Sequence, residues 1–230
     1  MWGSMRPETE TELSEMVAGA SGPLLVRGGG TRTLGHAVGE VMETGGLTGL
    51  ELYEPGALTL VVKAGTPVAE VDRVLAGERQ RLAFEPPDLR GLLGREGVST
   101  IGGVAATNAS GPRRVQAGAC RDALLGLRFV DGSGALVRNG GRVMKNVTGY
   151  DLVKLLAGSR GTLGVLTALS FKVQAIPEAE ATLVVEGLGD EAGLAALRAA
   201  LGSPFDVSGA ARHSGRSLIR VEGMPGSVAY

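Results

Sequence analysis

Three glycine-dense segments carry the residue types best suited to chemistry in this chain. They are GGGTRTLG at residues 28–35, STIGGVAATNASG at residues 99–111 and GSRGTLGV at residues 158–165. Glycine lets backbone amides approach a doubly charged pyrophosphate closely and adopts positive φ angles without strain. The threonine and serine hydroxyls in these segments add hydrogen-bond donors. Together the segments predict a pyrophosphate site, although each one alone is more typical of a simple tight turn.

The common nucleotide-binding fingerprints do not fit these segments. The chain contains no GxxxxGK[ST] motif, which disfavours a P-loop. The first segment lacks the G-x-G-x-x-G spacing and the acidic residue that follows about 20 positions later in a Rossmann fold. The sequence therefore predicts a different kind of nucleotide site.

Few other residues are candidates for catalysis. The chain has two histidines, His36 and His213, which lie far apart, and one cysteine, Cys120. A lone histidine is most often a surface or structural residue, even though its ordinary pKa of about 6.5 suits proton transfer. A single cysteine forms neither an internal disulfide nor a cysteine-cluster metal site, and Cys120 is expected to be a small buried residue. The sequence thus names no catalytic residue and no metal site.

The charge and hydropathy of the chain limit the classes of binding partner that we expect. The chain has 23 basic and 24 acidic residues, a formal net charge of -1, and no basic run with interleaved aromatic residues. Nucleic acid and anionic membrane surfaces are therefore disfavoured, and a small molecule or a protein is the expected partner. The acidic start lacks the features of a signal peptide, and no apolar run reaches 18 residues, so we expect a cytoplasmic protein.

The elements that must position the three segments follow from periodicity and turn signals. In the first 176 residues the pattern predicts a helix near Leu13 to Val17, strands at 24–26, 50–53 and 58–62, and a helix that has Thr66 as N-cap and Pro67 as first residue and ends near Gly77. It then predicts a functional loop at 84–118, a helical turn at 122–127, a hairpin of 127–130 with 136–138, a helix at 152–157 and a strand at 163–173. After Pro177 it predicts a strand at 181–186, a helix at 190–201 and strands at 205–211 and 217–222. This β-α-β-β order is about half of a ferredoxin-like sandwich and leaves one sheet edge open.

The order and spacing of five motifs resemble one known family. The motifs are VRGGGTRTLG, FEPPD, STIGGVAATNASGPRR, RDALLGLRFVDGSG and KNVTGYDLVKLLAGSRGTLGVLTALSFKV. Over residues 20–176 they are similar to the PCMH-type FAD-binding domain shared by vanillyl-alcohol oxidase and p-cresol methylhydroxylase, and within it to the GlcE-type subunits of bacterial glycolate oxidase. The resemblance implies an α+β fold with a two-subdomain FAD-binding domain at residues 1–176, divided near residue 46, followed by a truncated ferredoxin-like cap remnant at 177–230.

The resemblance also implies which residues bind FAD. The pyrophosphate would be held by residues of the first segment, namely Gly28, Gly29, Gly30, Thr31 and Gly35. The pyrophosphate and the flavin would be covered by residues of the second segment, namely Thr100, Gly102, Gly103, Thr107, Asn108 and Gly111. The adenosine side would be lined by residues of the third segment, namely Gly161, Thr162 and Val165. Some relatives attach FAD covalently through a histidine where this chain has Thr31. FAD is therefore expected to bind non-covalently.

Two further groups of residues leave alternatives open. Polar residues near the third segment could face the isoalloxazine ring, namely Lys145, Asn146, Tyr150 and Asp151. Asp151 is equally suited to cap the helix that follows it. The adjacent Arg113 and Arg114 could neutralise a phosphate or contact a partner, but adjacent arginines are usually solvated.

The implied function is an FAD-binding subunit of a heteromeric 2-hydroxy-acid oxidoreductase, glycolate oxidase, which serves electron relay or supports the complex. Its implied partners are a second flavin subunit with the substrate residues and an iron–sulfur subunit, and the complex would contact the inner face of the membrane only through them. A small hydroxy acid would bind at the level of the complex. The two distant histidines and the short cap favour a subunit over a complete enzyme. A self-sufficient oxidase or dehydrogenase and a non-redox scaffold remain alternatives.

Overall fold

The computed structural model describes residues 5–32, 38–141 and 149–230. Its helices are α1 Glu10–Ala18, α2 Val68–Gly77, α3 Arg90–Leu93, α4 Ile101–Thr107, α5 Arg114–Ala117, α6 Cys120–Ala123, α7 Leu152–Leu156, α8 Asp190–Leu201 and α9 Pro225–Ala229. Its strands are β1 Leu24–Arg27, β2 Glu40–Glu43, β3 Leu50–Glu54, β4 Thr59–Lys63, β5 Gln80–Arg81, β6 Leu124–Val130, β7 Leu136–Gly140, β8 Val165–Lys172, β9 Gln174–Ala175, β10 Ala179–Val185, β11 Val207–His213 and β12 Arg216–Gly223. The predicted α+β class is confirmed.

A five-stranded antiparallel sheet forms the centre of the molecule. Its strand order is β3-β4-β8-β6-β7, and β8 lies in the middle. The sequence of β8, VLTALSFK, is almost continuously apolar, and most of its side chains are buried. Helices α2, α4 and α7 contribute to the main core against this sheet, where the rings of Phe84 and Phe171 lie 5.9 Å apart. A central strand buried on both sides accounts for this pattern.

Helix α2 shows how the sequence sets local structure. Its apolar face, Val68, Val71 and Leu75, is buried as predicted. The sequence predicts Thr66 as N-cap and Pro67 as the first helical residue, whereas in the structure Pro67 is the N-cap and the helix begins at Val68. The Thr66 hydroxyl oxygen accepts a hydrogen bond from the Gly49 amide at 2.9 Å instead of capping the helix.

The predicted loop at 84–118 is wrong, because it contains three helices. The longest, α4, buries Ile101, Val104 and Ala105 completely. Its sequence IGGVAAT is short and has two glycines, so intrinsic propensity does not reveal it. Packing against the central sheet stabilises it, which is typical of short helices. The predicted helical turn at 122–127 is also wrong, since α6 ends at Ala123 and strand β6 begins at Leu124.

A smaller unit precedes the central sheet. Strands β1 and β2 pair in parallel, and β2 was not predicted from the sequence. Helix α1 packs beside them, and Leu13 and Met42 are fully buried in a second apolar core. Because β1 ends at Arg27, the first glycine segment follows directly from a strand that this core holds in place.

The C-terminal residues form a separate sheet. Strands β10, β12 and β11 lie antiparallel in that order, and α8 packs on β11 and β12. The predicted β-α-β-β order is confirmed, while the ferredoxin-like relationship and the boundary at 176/177 stay predictions. Among the described residues β10 has a partner on one side alone, and its Leu183 and Val184 side chains are half exposed.

A network of charged side chains, of which Arg113 and Glu222 are buried, joins this sheet to the rest of the molecule. Arg81 donates to Glu222 at 2.6 Å, and Arg220 donates to Glu85 at 2.8 Å. Arg113, which is 3% exposed, forms an ion pair with Glu222, and its desolvation by burial lowers the pKa of its guanidinium to about 10. The structure therefore places Arg113 in a structural network.

Among the helices in the described parts of the chain, none has the length and apolar content needed to cross a membrane.

Candidate functional site

The three glycine segments meet at one cleft of about 250 Å³. Most of the residues predicted to bind the cofactor line it, namely Gly28, Gly29, Gly30, Thr31, Thr100, Gly102, Gly103, Thr107, Gly161 and Thr162. Neighbouring segments lie more than 45 residues apart in sequence, so their meeting is a property of the fold.

Helix α4 is the element that holds the segments together. At its start, the Gly102 amide donates to the Ala64 carbonyl at 2.7 Å, which fixes the helix to the end of β4. At its other end, the Gly158 amide donates to Ala105 and the Arg160 amide donates to Ala106 at 2.8 Å. The third segment is therefore attached to the second by backbone hydrogen bonds, and both are positioned by the central sheet.

The turn after β1 presents backbone donors to the cleft. No described residue accepts a hydrogen bond from the amides of Gly28, Gly29 and Gly30. Gly30 has a φ of 71°, a conformation that favours glycine. Successive unpaired amides in such a turn form a concave site for an anion.

Several of the glycines are also required by close packing of the chain itself. A Cβ atom at Gly28 would overlap the Thr100 hydroxyl, and one at Gly29 would overlap the Val98 carbonyl. Gly103 differs, because a Cβ there would approach a single group, the Thr100 hydroxyl oxygen at 3.2 Å. Gly103 is thus a position where a larger side chain would enter the cleft without first displacing the backbone.

The hydroxyl groups of the cleft fall into two classes. Thr107 donates to the Gly103 carbonyl at 2.7 Å, and Thr162 donates to the Ser159 carbonyl at 2.6 Å. Among the described residues none accepts a hydrogen bond from the hydroxyls of Thr31 and Thr100, although the Thr100 oxygen accepts from the Gly103 amide at 3.3 Å. Among the residues predicted to bind the cofactor, Thr31 and Thr100 therefore have hydroxyl protons that remain for a ligand.

Three predicted cofactor residues do not line the cleft. The Asn108 side chain oxygen accepts from the Arg121 amide at 2.9 Å, just after α4 ends. Gly111 lies against Glu85, and Val165 is buried in the second core. Their predicted contacts with the cofactor stay predictions.

Some residues named from the sequence lie outside the described residues. They are Gly35, His36, Lys145 and Asn146. Their predicted roles also stay predictions.

Sequence reasoning missed the positive charge of the cleft. Arg27, Arg32 and Arg160 line it, and no aspartate or glutamate is among its described lining residues. Arg32 and Arg160 stand inside the glycine motifs, so the signal was present in the sequence but was hidden among many solvated arginines. A cleft with this charge and with unpaired amides suits a doubly negative pyrophosphate.

The remaining candidates lie away from the cleft lining. Asp151 caps α7, since its carboxylate accepts from the Lys154 amide at 3.0 Å, and Tyr150 is 88% exposed. His213 is an exposed residue at the end of β11. Cys120 is buried as predicted, and desolvation raises the pKa of its thiol to about 12.

Comparison with known proteins gives concordant results. A model of the FAD binding domain family matches residues 3–140. The glycolate oxidase subunit GlcE of Escherichia coli K12 is 38% identical over 208 residues, which cover 90% of this chain and 57% of that subunit. D-lactate dehydrogenase of Archaeoglobus fulgidus is 35% identical over 176 residues, which cover 74% of this chain and 38% of that enzyme.

The fold is shared with a solved structure. Alkyldihydroxyacetonephosphate synthase superposes with a TM-score of 0.79 at 18% identity, covering 97% of this chain and 47% of the other. The chain thus spans little more than half the length of the GlcE subunit and less than half of the solved structure.

The described residues of the cleft fit FAD on their own chemistry. Unpaired glycine amides, two threonine hydroxyls whose protons have no acceptor among the described residues, and a positively charged lining match a pyrophosphate, and the glycines leave room for close approach. The family model and the relatives point to the same cofactor. This chain belongs to the FAD-binding domain family of PCMH-type oxidoreductases.

Proposed function

We propose that the chain carries non-covalent FAD as a flavin subunit of a heteromeric 2-hydroxy-acid oxidoreductase that converts glycolate to glyoxylate. The observation that carries this proposal is the cleft, in which three glycine segments converge in a chain similar to GlcE over 90% of its length. The names of the relatives, which include a GlcE and a GlcD subunit of glycolate oxidase, support an assembly of several subunits.

The residues of the first segment would hold the pyrophosphate. The amides of Gly28, Gly29 and Gly30 donate to it, and the Thr31 and Thr100 hydroxyls add donors at the rim of the same turn. Gly161 and Thr162 would border the adenosine side. Since residue 31 is threonine and not histidine, the chain offers no side chain there for a covalent bond to the flavin.

The described cleft is suited to bind the cofactor, but its lining does not supply a base that acts on the substrate. FAD, when bound, accepts the hydride that leaves the hydroxyl-bearing carbon of the substrate. Oxidation also needs a base for the hydroxyl proton, and a cation to hold the substrate carboxylate. Among the described lining residues, arginines provide cations, while histidine, lysine, aspartate and glutamate are absent. We infer that a second flavin subunit provides the base.

An electron acceptor completes the proposed assembly. The chain has a single cysteine, so it cannot ligate an iron–sulfur cluster through four thiolates. We therefore assign the cluster to a third subunit, and the role of this chain to electron relay, support of the complex, or both. We place the chain in the cytoplasm, at the inner face of the membrane through its partners.

A second candidate function is a self-sufficient dehydrogenase of a small hydroxy acid. The similarity to D-lactate dehydrogenase over 74% of the chain favours it. This function requires a base supplied by the chain itself.

One experiment separates these functions. The chain is expressed alone and with candidate companion subunits, and glycolate-dependent dye reduction is measured for each sample together with acid-released flavin. We expect stoichiometric FAD released by acid, turnover by the assembly and little turnover by the isolated chain. Full turnover by the isolated chain would establish the self-sufficient dehydrogenase. Full activity of an assembly whose copy of this chain lacks flavin would establish a scaffold.

A further inference from the structure

Arg32 is a buried cation at the edge of the cleft. Its side chain is 8% exposed and lines the cleft together with the glycine turn that precedes it. One terminal nitrogen, Nη1, donates to the Ser99 hydroxyl at 2.7 Å, and the other, Nη2, donates to the Pro87 carbonyl at 2.8 Å. The Nε–H group is shielded from solvent and has no acceptor among the described residues. The side chain is therefore held in place by two hydrogen bonds, and its Nε–H donor remains without an acceptor.

The positive charge of Arg32 also has no ion-pair partner among the described residues. No described carboxylate forms an ion pair with it, and the nearby carboxylate of Asp88 pairs with Arg90 at 2.8 Å. Burial lowers the pKa of the Arg32 guanidinium from its ordinary value of 12.5, which reflects the cost of keeping the cation away from water. A buried charge without a partner is strongly unfavourable, so such groups are normally paired.

Arg113 shows the normal arrangement in the same molecule. It is as buried as Arg32, but the carboxylates of Glu222 and Glu85 lie beside it. The partner of Arg113 is part of the chain. At Arg32 the hydrogen-bond partners are neutral, so the compensating negative charge must come from a ligand of the cleft.

We propose that Arg32 is the counter-ion of the cofactor pyrophosphate, a role that rests on the proposed binding of FAD in this cleft. Arg32 lies two residues after Gly30, the last of the three unpaired amides, and its Nη1 lies 3.3 Å from the Thr31 hydroxyl oxygen. The amides, the hydroxyl and the guanidinium thus surround one site, and the pyrophosphate is the part of FAD that carries negative charge. Ser99 and Pro87 orient Arg32 in advance, which reduces the entropy lost on binding.

The assignment makes the diphosphate the part of the ligand that Arg32 recognises. A charged donor that loses its partner typically weakens binding by about 10- to 100-fold. The loss should be equal for FAD and for ADP, since both contain the diphosphate. The midpoint potential of bound flavin should stay unchanged, because the proposal places the guanidinium at the diphosphate and not at the ring.

The test uses three variants of the full chain. Arg32→Gln removes the charge, Arg32→Lys keeps the charge but loses the planar donors, and Arg73→Gln removes an exposed charge of α2 as the control. Dissociation constants for FAD and ADP are measured by titration calorimetry at low and high salt. The thermal unfolding of each apo protein is measured in parallel.

We expect Arg32→Gln to weaken FAD and ADP by about 10- to 100-fold and to flatten the salt dependence, while Arg73→Gln matches the parent chain. Arg32→Lys should recover part of the affinity at low salt. The apo melting temperature of Arg32→Gln should fall little, because an unpaired buried charge has been removed. A purely structural residue would instead lower stability and affinity together.

Three results would overturn the assignment. Parent-like FAD affinity in both Arg32 variants would show that the side chain does not contact the cofactor. An unchanged ADP affinity with a shifted midpoint potential would place Arg32 at the flavin ring. Failure of the parent chain to bind FAD would remove the cofactor proposal itself, which is distinguishable from the first two results.

Discussion

At the scale of single residues, glycine is needed in the cleft for two different physical reasons. Gly29 and Gly102 are in contact with neighbouring backbone, so any side chain there would displace the chain itself. At Gly103 a substituted Cβ would meet no backbone, and its one close neighbour would be the Thr100 hydroxyl oxygen at 3.2 Å. Substitution of Gly29 or Gly102 should therefore destabilise the folded protein, whereas substitution of Gly103 should weaken ligand binding.

The Gly103→Glu variant should fold and purify without flavin. Its carboxylate would enter a cleft that is suited to phosphate, so both its bulk and its charge oppose binding. The flavin absorbance of the purified protein measures the result, and circular dichroism confirms folding. Gly103→Ala is the matched control: it should keep FAD, because its methyl group adds no charge and its one close neighbour is the Thr100 hydroxyl oxygen at 3.2 Å. Normal flavin content in Gly103→Glu would contradict this placement.

Cys120 should be chemically inert in the native protein. Its thiol is buried, and desolvation raises its pKa to about 12, so very little thiolate exists at pH 8. Labelling with a thiol-reactive dye should be negligible in buffer and complete in urea. Rapid labelling of the folded protein would show that the thiol is accessible and that this burial is wrong.

At the scale of elements, the site depends on how two small helices are attached to the central sheet. Helix α4 connects the second and third segments, and α1 covers the strands that precede the first. The attachment of α1 is partly ionic: Arg128 of β6 donates to Glu10 of α1 at 2.7 Å and to Glu51 of β3. This arginine therefore joins a helix and two strands.

The ionic contact predicts a loss of stability in acid. The hydrogen bond from Arg128 lowers the pKa of Glu51 below its usual 4.5. A carboxylate with a lowered folded pKa stabilises the protein above its unfolded pKa, and this contribution disappears as the pH falls through the folded value. The melting temperature of the parent chain should therefore drop as the pH falls below about 4.5.

Arg128→Gln tests the origin of this effect. It should cost about 1 kcal/mol at pH 7, or roughly 2–4 °C in melting temperature. Its further loss between pH 6 and pH 3 should be smaller than that of the parent, because the pKa of Glu51 returns towards normal. Arg73→Gln serves as the control and should follow the parent curve. Parallel curves for Arg128→Gln and the parent would rule out this contact as the source.

At the scale of the whole molecule, the charged network fixes the C-terminal sheet to the FAD-binding part. Glu222 of β12 is 4% exposed and receives both Arg81 and Arg113. Its removal would leave the buried Arg113 guanidinium with the more distant Glu85 carboxylate, 3.8 Å away, and would take from Arg81 the carboxylate to which it donates, which is costly.

Glu222→Ala should lower the free energy of unfolding by about 3–5 kcal/mol. Glu186→Ala is the control, since Glu186 forms a salt bridge with Arg216 in which both side chains are more than 60% exposed. That pair should contribute at most about 1 kcal/mol. Urea unfolding at pH 7 measures both variants. Equal effects of the two substitutions would show that the buried network does not hold the sheet.

The sequence by itself determined the family, the long periodic elements and the three glycine segments. The apolar face of α2, the apolar run of β8 and the β-α-β-β order at the C-terminus are local patterns, and each was visible in one stretch of chain. The motifs that resemble the FAD-binding family are likewise contiguous strings. Such features need no knowledge of contacts between distant residues, because hydrophobic periodicity and turn chemistry act locally.

The tertiary structure alone decided how the segments meet and what charge surrounds them. Helix α4 forms because the central sheet buries its apolar residues. Its glycine- and alanine-rich sequence of seven residues is too short to show a helical hydrophobic period. Arg32 stands in a quoted motif, yet its burial and its partners at Ser99 and Pro87 come from residues more than 50 positions away. Burial and pairing are properties of three-dimensional packing, so a sequence pattern does not separate this arginine from those in solvent.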